Sequence, residues 1–281
     1  MAEQIFIRAA TLQEALEEKA AYGRRTRIIA GGTDLMVQIN TLAAAPERLL
    51  YIGRAGLDTI EKKDGGLELG AGVTLTTLAS SKIVSEAFPA LSQAAGHMAS
   101  WAVRNRGTLG GNLSNASPAA DTAPPLLALG AAVNLVSLRG ERRIPITEFF
   151  TGPGSTCMAP DEILSSVWIP LREDWRMSYR KIGRRKAETL SVISVCVALE
   201  NRAGAAENVK IALGAAAPVP MLANKAMAAL EGRPLSEELV KEAGRLAAGE
   251  ASPIDDQRAS AWYRKRVISA VVAESLREMM A

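Results

Sequence analysis

The chain has 281 residues, a formal net charge of +3 and 48% hydrophobic residues, with aromatics only 4%. That length allows two domains, or three small ones, and the charge is too slight to argue for a nucleic-acid partner. Two cysteines without a CxxC, Cys157 and Cys196, and one histidine, His97, exclude a disulfide framework, a Cys- or His-based zinc site and an iron–sulfur cluster held by this chain alone.

Gln4 to Arg8 alternates as a short strand. Thr11-Leu12-Gln13-Glu14 reads as a capping box, in which the Thr hydroxyl and the Glu carboxylate each satisfy an orphan amide. Leu12, Ala15, Leu16 and Ala20 recur at helical spacing, and Gly23 ends that helix. Arg27 to Ala30 reads as the second strand of a β-α-β unit, and Asp34 to Ile39 as a short helix with Thr33 as its N-cap. Strands are expected at Arg48–Ile52 and, after the turn Asp64-Gly65-Gly66, at Leu67–Gly72. Helices are expected over 74–81 and 88–100, with a further helical turn opening at Ser117-Pro118 and running irregularly past Pro124-Pro125 to Leu129. Val133–Leu138, Arg142–Ile144 and Ile163–Ile169 read as strands of one sheet. The polar, proline-marked stretch 170–176 is taken as a domain boundary. Beyond it come strands near 179–182, 192–199 and 209–213, then helices near 225–230, 236–248 and 258–279. The N-terminus lacks the basic flank and apolar run of a signal peptide, and no segment has the length of a membrane span, so the chain reads as soluble and cytoplasmic.

Two glycine-rich loops carry the chemistry. The first is Ile28-Ile29-Ala30-Gly31-Gly32-Thr33-Asp34-Leu35 and the second Arg106-Gly107-Thr108-Leu109-Gly110-Gly111-Asn112. Paired glycines let the backbone approach a ligand closely, and a following helix N-terminus adds free amides and a positive dipole end. Thr33, Thr108 and Asn112 add side-chain donors. Neither loop is a Walker A motif or a GxGxxG, and either one alone could be an ordinary turn. Two of them in one small chain point to an extended, doubly phosphorylated ligand gripped from two sides. Spacing alone stops at an anionic, nucleotide-like ligand.

The residues around the loops go further. They resemble the FAD-binding medium subunit of the molybdenum hydroxylases, the xanthine dehydrogenase and carbon monoxide dehydrogenase family. The likeness runs in order through the AGGTDL loop Ala30–Leu35, the stretch Arg104–Asn112, the NASPAAD stretch Asn115–Asp121, TGPG at Thr151–Gly154, Asp161–Pro170 and Tyr179–Arg185. It implies an α+β fold: an FAD-binding region of two α+β subdomains of the PCMH type, residues 1–55 and 56–172, then a C-terminal domain, 173–281, with a three-stranded antiparallel sheet and a helical bundle.

The resemblance also implies roles. The backbones of Ile28, Ile29, Ala30, Gly31, Gly32, Thr33, Asp34 and Leu35, and of Thr108, Leu109, Gly110, Gly111 and Asn112, would cradle the FAD pyrophosphate. Asp121 would accept hydrogen bonds from ribityl or ribose hydroxyls; without a ligand it reads as a carboxylate in the first turn of a helix. Leu164 would place its backbone against the isoalloxazine. Lys181 would lie near the flavin, where a cation raises the reduction potential. The run Arg180–Lys186 is otherwise a solvated charged face, with Arg184, Arg185 and Lys186 available to a partner subunit or a pyridine nucleotide. The implied complex holds a molybdopterin-containing large subunit and a [2Fe–2S] small subunit, as a dimer of heterotrimers, with NAD, oxygen or a quinone as acceptor. The chain departs from the family in two places. It lacks the four-cysteine insertion of one branch, and it has Met98 where some members carry an aromatic residue upstream of the second loop. His97, Cys157 and Cys196 read as structural. A stand-alone flavoprotein oxidase and a non-catalytic flavin-binding module are the alternatives, and the absence of any acid–base pair or nucleophile triad suits an electron relay better than the first.

Overall fold

The computed structural model describes residues 4–280. Its first sheet is parallel, in the order Ile5–Arg8, Arg48–Tyr51, Thr26–Ile29. The crossover helix Leu12–Tyr22 buries Ala15 and Leu16, and it ends at Gly23 with φ +51°, a backbone angle that suits glycine. Its capping box forms with a shift of one residue: Thr11 accepts from the Glu14 amide, while Glu14 accepts from Ala10 at 2.8 Å. The expected cap at Thr33 does not form. Asp34 occupies the N-cap of Leu35–Asn40, without a side-chain bond.

The second sheet is antiparallel, in the order Ile60–Lys63, Gly66–Gly70, Ile163–Pro170, Ala132–Ser137, Gly140–Pro145. Ile60–Lys63 escapes sequence reading because its residues, Ile-Glu-Lys-Lys, carry a single apolar side chain; it is an edge strand protected by charge. Asp64 and Gly65 both have positive φ, which makes a tight two-residue hairpin. The helices Leu75–Ser80, Lys82–Ala87, Pro89–Gly96, Trp101–Arg104, Leu109–Ser114 and Ala123–Ala128 lie between the strands in sequence. The helix expected over 88–100 stops at Gly96, and Ala99 turns the chain at φ +41°. Ser117-Pro118 makes a turn; the helix begins at Ala123, with Pro124 and Pro125 in the first turn, where a missing amide costs nothing. Leu67, Leu69, Phe88, Leu91, Leu109 and Phe149 belong to one core.

The third sheet is antiparallel: Trp175–Ile182, Ile193–Arg202, Ala205–Gly214, and a two-residue fourth strand, Met221–Leu222, added to the three expected. Trp175 and Arg176 already belong to its first strand, so the proline-marked boundary is shorter than read. Residues 193–200 of the second strand are buried on both faces. Cys196 and Ala198 join the core of the preceding domain, while Val195, Val197 and Leu199 face the helices Asn224–Leu230, Glu237–Glu250 and Ala261–Arg277. The period of two along one strand thus welds the C-terminal domain to its neighbour. No helix among the described residues is long and apolar enough to cross a membrane.

Candidate functional site

The two glycine loops touch. A Cβ on Gly31 would fall far inside van der Waals contact with the Arg106 carbonyl and lie 2.9 Å from the Gly107 nitrogen. Gly107 in turn faces the Thr33 hydroxyl, and Gln38 Nε2 donates to Asn115 Oδ1 at 3.4 Å. The second loop is itself held by an isolated bridge between Thr74 and Thr108. Arg104 donates to the carbonyls of Met98 and Ala99 at 2.8 and 2.9 Å, and Asn105 accepts from Thr76 at 2.6 Å. The leading Arg-Asn of that motif therefore fixes the turn ahead of the loop.

The glycines divide their work. Gly31 lets the loops meet, and Gly110 lets its helix lie on Ala71, whose Cβ would be 2.5 Å from a Cβ on Gly110. Gly32 supplies φ +73°. Only Gly111 opens outward: it is exposed, and a Cβ there meets nothing but the Thr108 hydroxyl, at 2.9 Å. The amides are also unevenly disposed. Among the described residues, those of Gly31, Gly32, Thr33, Asp34 and Leu35 have no acceptor. In the second loop Leu109 donates to Val73, Gly110 to Ala71, Gly111 to Thr108 Oγ1 and Asn112 to the Thr108 carbonyl. The sequence predicts amide donors from both loops. The structure gives a run of five from the first, and from the second the Thr108 amide and hydroxyl and the Asn112 side-chain amide. Asn112 Oδ1 accepts from Thr122 at 2.6 Å, which leaves its Nδ2 free to donate outward.

Thr122 leads to Asp121, buried to 3% exposure. Asp121 Oδ2 accepts from Lys181 Nζ at 2.6 Å; Oδ1 accepts from the Tyr179 hydroxyl at 3.1 Å and from the Ser191 hydroxyl. Lys181 also donates to the His97 carbonyl at 3.1 Å. Burial first, and then the Asp121 charge, push the Tyr179 phenol well above its ordinary range, so it remains a donor. Leu164 is buried in the central strand opposite Leu135, beside a bulge at Ser165. The Ser165 carbonyl accepts from Ala71, the residue on which Gly110 rests. Leu164 therefore lies beneath the second loop, one layer from its glycines.

Chemically, six free amides, the Thr33 and Thr108 hydroxyls and a side-chain amide around a backbone-to-backbone contact can hold a polyanion, with a buried ion pair beyond. The chain matches two family models end to end: one described as the FAD binding domain in molybdopterin dehydrogenase, over residues 2–172, and one described as the CO dehydrogenase flavoprotein C-terminal domain, over 178–279. The chain belongs to this flavoprotein family. It is an FAD-binding medium subunit of the molybdenum hydroxylase type, an oxidoreductase component. It is 30% identical over 276 residues to the glyceraldehyde dehydrogenase medium chain of Sulfolobus acidocaldarius, covering 98% of this chain and 97% of that one. It is 32% identical over 255 residues to the nicotine 6-hydroxylase medium subunit of Paenarthrobacter nicotinovorans, covering 90% and 89%. Its fold matches the carbon monoxide dehydrogenase of Hydrogenophaga pseudoflava with a TM-score of 0.94 and 27% identity, over 99% of this chain and 97% of that one.

The residues of this medium subunit that sequence reading missed are those that act across the domain boundary. In the sequence Tyr179 only opens the strand expected to carry Lys181, and Ser191 carries no signal. A hydroxyl has no sequence signature for a partner 58 or 70 residues away. His97 contributes its carbonyl, and among the described residues its ring makes no hydrogen bond. The remaining motif residues are structural: Gly154 donates to Ala116 at 2.9 Å, Asp161 pairs with Arg139 at 2.8 Å and Glu162 with Arg142 at 2.6 Å.

Proposed function

We propose that the FAD pyrophosphate lies where the two loops meet, against the amides of Gly31–Leu35 and the Thr108 and Asn112 donors. The observation that carries this is the run of five amides without an acceptor, on a loop whose Gly31 packs on the backbone of the other. An amide left unpaired at a protein surface is ordinary; five in succession facing a second donor set suit a doubly charged phosphate bridge. When bound, FAD supplies the exchange between single-electron and two-electron transfer. The chain's own residues bind and orient it. Ile28, Ile29 and Ala30 carry the first loop off its strand, and Leu109, Gly110 and Gly111 carry the second. Leu164 backs the second loop from the sheet. Asp121 and Lys181, paired at 2.6 Å with side chains 5% and 7% exposed, set the charge at the flavin end.

The same reading makes the chain an electron relay. It receives electrons from the [2Fe–2S] clusters of a small subunit, reduced in turn by a molybdopterin-containing large subunit, and passes them to NAD, oxygen or a quinone. The assembly is a dimer of heterotrimers in the cytoplasm, and the chain divides at residues 55 and 172. The names of the relatives as medium chains and medium subunits support both the partners and the relay. The test is direct: the purified chain mixed with excess FAD acquires a bound flavin spectrum and a higher melting temperature. If refolding with excess cofactor leaves it colourless, the proposal fails.

A further inference from the structure

All three donors to Asp121 come from the C-terminal domain, and they are divided between its oxygens. Two hydroxyls, of Tyr179 and Ser191, hold Oδ1; one ammonium, of Lys181, holds Oδ2. The pair is almost sealed, with side-chain exposures of 7% for Lys181 and 5% for Asp121. Tyr179 and Lys181 project from the same face of one strand, two residues apart, and Ser191 returns on the far side of the loop 183–190, beside Val192, whose amide donates to Ile182 at 2.8 Å. The arrangement stands next to the second glycine loop through the Thr122–Asn112 bond.

A buried lysine paired with a carboxylate presents little net charge to its surroundings. How much it presents depends on how fully the carboxylate turns toward it. Hydroxyl donors on Oδ1 draw negative charge to that oxygen and fix the carboxylate plane, so the lysine meets one oxygen only. Without them, a buried Oδ1 would lack its partners and would regain one only by rotating toward the ammonium.

We propose that Tyr179 and Ser191 are positioning residues for the flavin: by occupying Oδ1 of Asp121 they prevent it from fully neutralising Lys181, and so set the positive charge that Lys181 holds at the isoalloxazine. This rests on the reading that FAD occupies the site. It adds two residues of the C-terminal domain to the control of the reduction potential, neither of which touches the cofactor.

The test uses the full chain loaded with FAD, in the forms Tyr179→Phe, Ser191→Ala and the double variant, with Asp121→Asn as the counter-variant. Midpoint potentials are read by spectroscopic titration against a reference dye, with FAD affinity and apo-protein melting measured in parallel. Loss of either hydroxyl shifts the potential negative, the double variant shifts it further, and Ser191→Thr restores the wild-type value. Asp121→Asn shifts it positive, because the neutralising charge is gone. FAD affinity of the single variants Tyr179→Phe and Ser191→Ala stays within about tenfold, as expected for the loss of a single net hydrogen bond. Potentials that stay at the wild-type value, or that move in the same direction as Asp121→Asn, overturn the proposal, even if melting temperatures fall. Should Tyr179→Phe fail to fold, Ser191→Ala and its threonine rescue decide alone. A wild-type chain that binds no FAD would instead refute the underlying reading of the site.

Discussion

Gly31→Ala puts a methyl group into the one place where the two glycine loops touch. The nearest atoms are backbone, the Arg106 carbonyl and the Gly107 nitrogen, so no side chain can swing aside. The loops must part by about 1.5 Å to restore an ordinary contact with the Arg106 carbonyl. Overpacking of this kind costs about 1–3 kcal/mol. The free chain can relieve much of it by letting the half-buried first loop lean outward. The loaded chain cannot, because both loops must hold the same pyrophosphate. The cost therefore appears as lost affinity, roughly 5- to 150-fold in Kd, with a smaller loss of apo stability. Fluorescence titration of apo-protein with FAD measures the first, and thermal melting monitored by circular dichroism the second. A folded Gly31→Ala protein that binds FAD within about twofold of wild type would refute the two-loop cradle. A fall in melting temperature with unchanged affinity would mean that the contact is purely structural.

Three further outcomes follow from other parts of the chain. Gly111→Leu adds bulk on the open side of the second loop and meets only the Thr108 cap hydroxyl, so it should abolish FAD binding with at most a small loss of apo melting temperature; retained affinity would mean the ligand does not approach there. Arg264, 2% exposed, donates to the carbonyls of Val192 and Ala215 and pairs with Asp256 at 2.7 Å. Arg264→Ala leaves those acceptors unpartnered and should cost about 3–5 kcal/mol, lowering the melting temperature by on the order of 10 °C; a change below about 2 °C would contradict this. Hydrogen bonds from Arg142 and Arg48 hold the Glu162 and Glu18 carboxyls below the ordinary glutamate range. A depressed folded pKa stabilises the fold above the unfolded value, so this contribution is present at neutral pH and is lost as pH falls below about 4.3. Melting temperatures taken between neutral and acidic pH should fall in that window, and a rise on acidification would exclude the pairing as the cause.

Much of the architecture was legible because burial leaves a period in the sequence. Alternation marked strands such as Ile163–Pro170, helical spacing marked Leu12–Tyr22, and glycines or prolines ended most elements close to where they end in the structure. The signal failed where burial was slight or geometry was local. Ile60–Lys63 has too few apolar residues to show a period, and Ala99, beyond the helix that stops at Gly96, makes a left-handed turn that alanine does not advertise.

By itself the sequence determined the family, the ligand class and the residues that could serve it, because glycine pairs, hydroxyls and the ordered motifs around them are local chemistry written in neighbouring positions. Only the tertiary structure decided what each of those residues does. It assigned Gly31 to contact between the loops and left Gly111 facing outward. It left the amides of Gly31–Leu35 free while consuming those of Leu109–Asn112. It also joined Lys181, Tyr179 and Ser191 to Asp121 across the domain boundary. The reason is physical: a contact between residues far apart in the chain is fixed by how strands and helices pack, and packing imposes no spacing on the sequence that would reveal the pair.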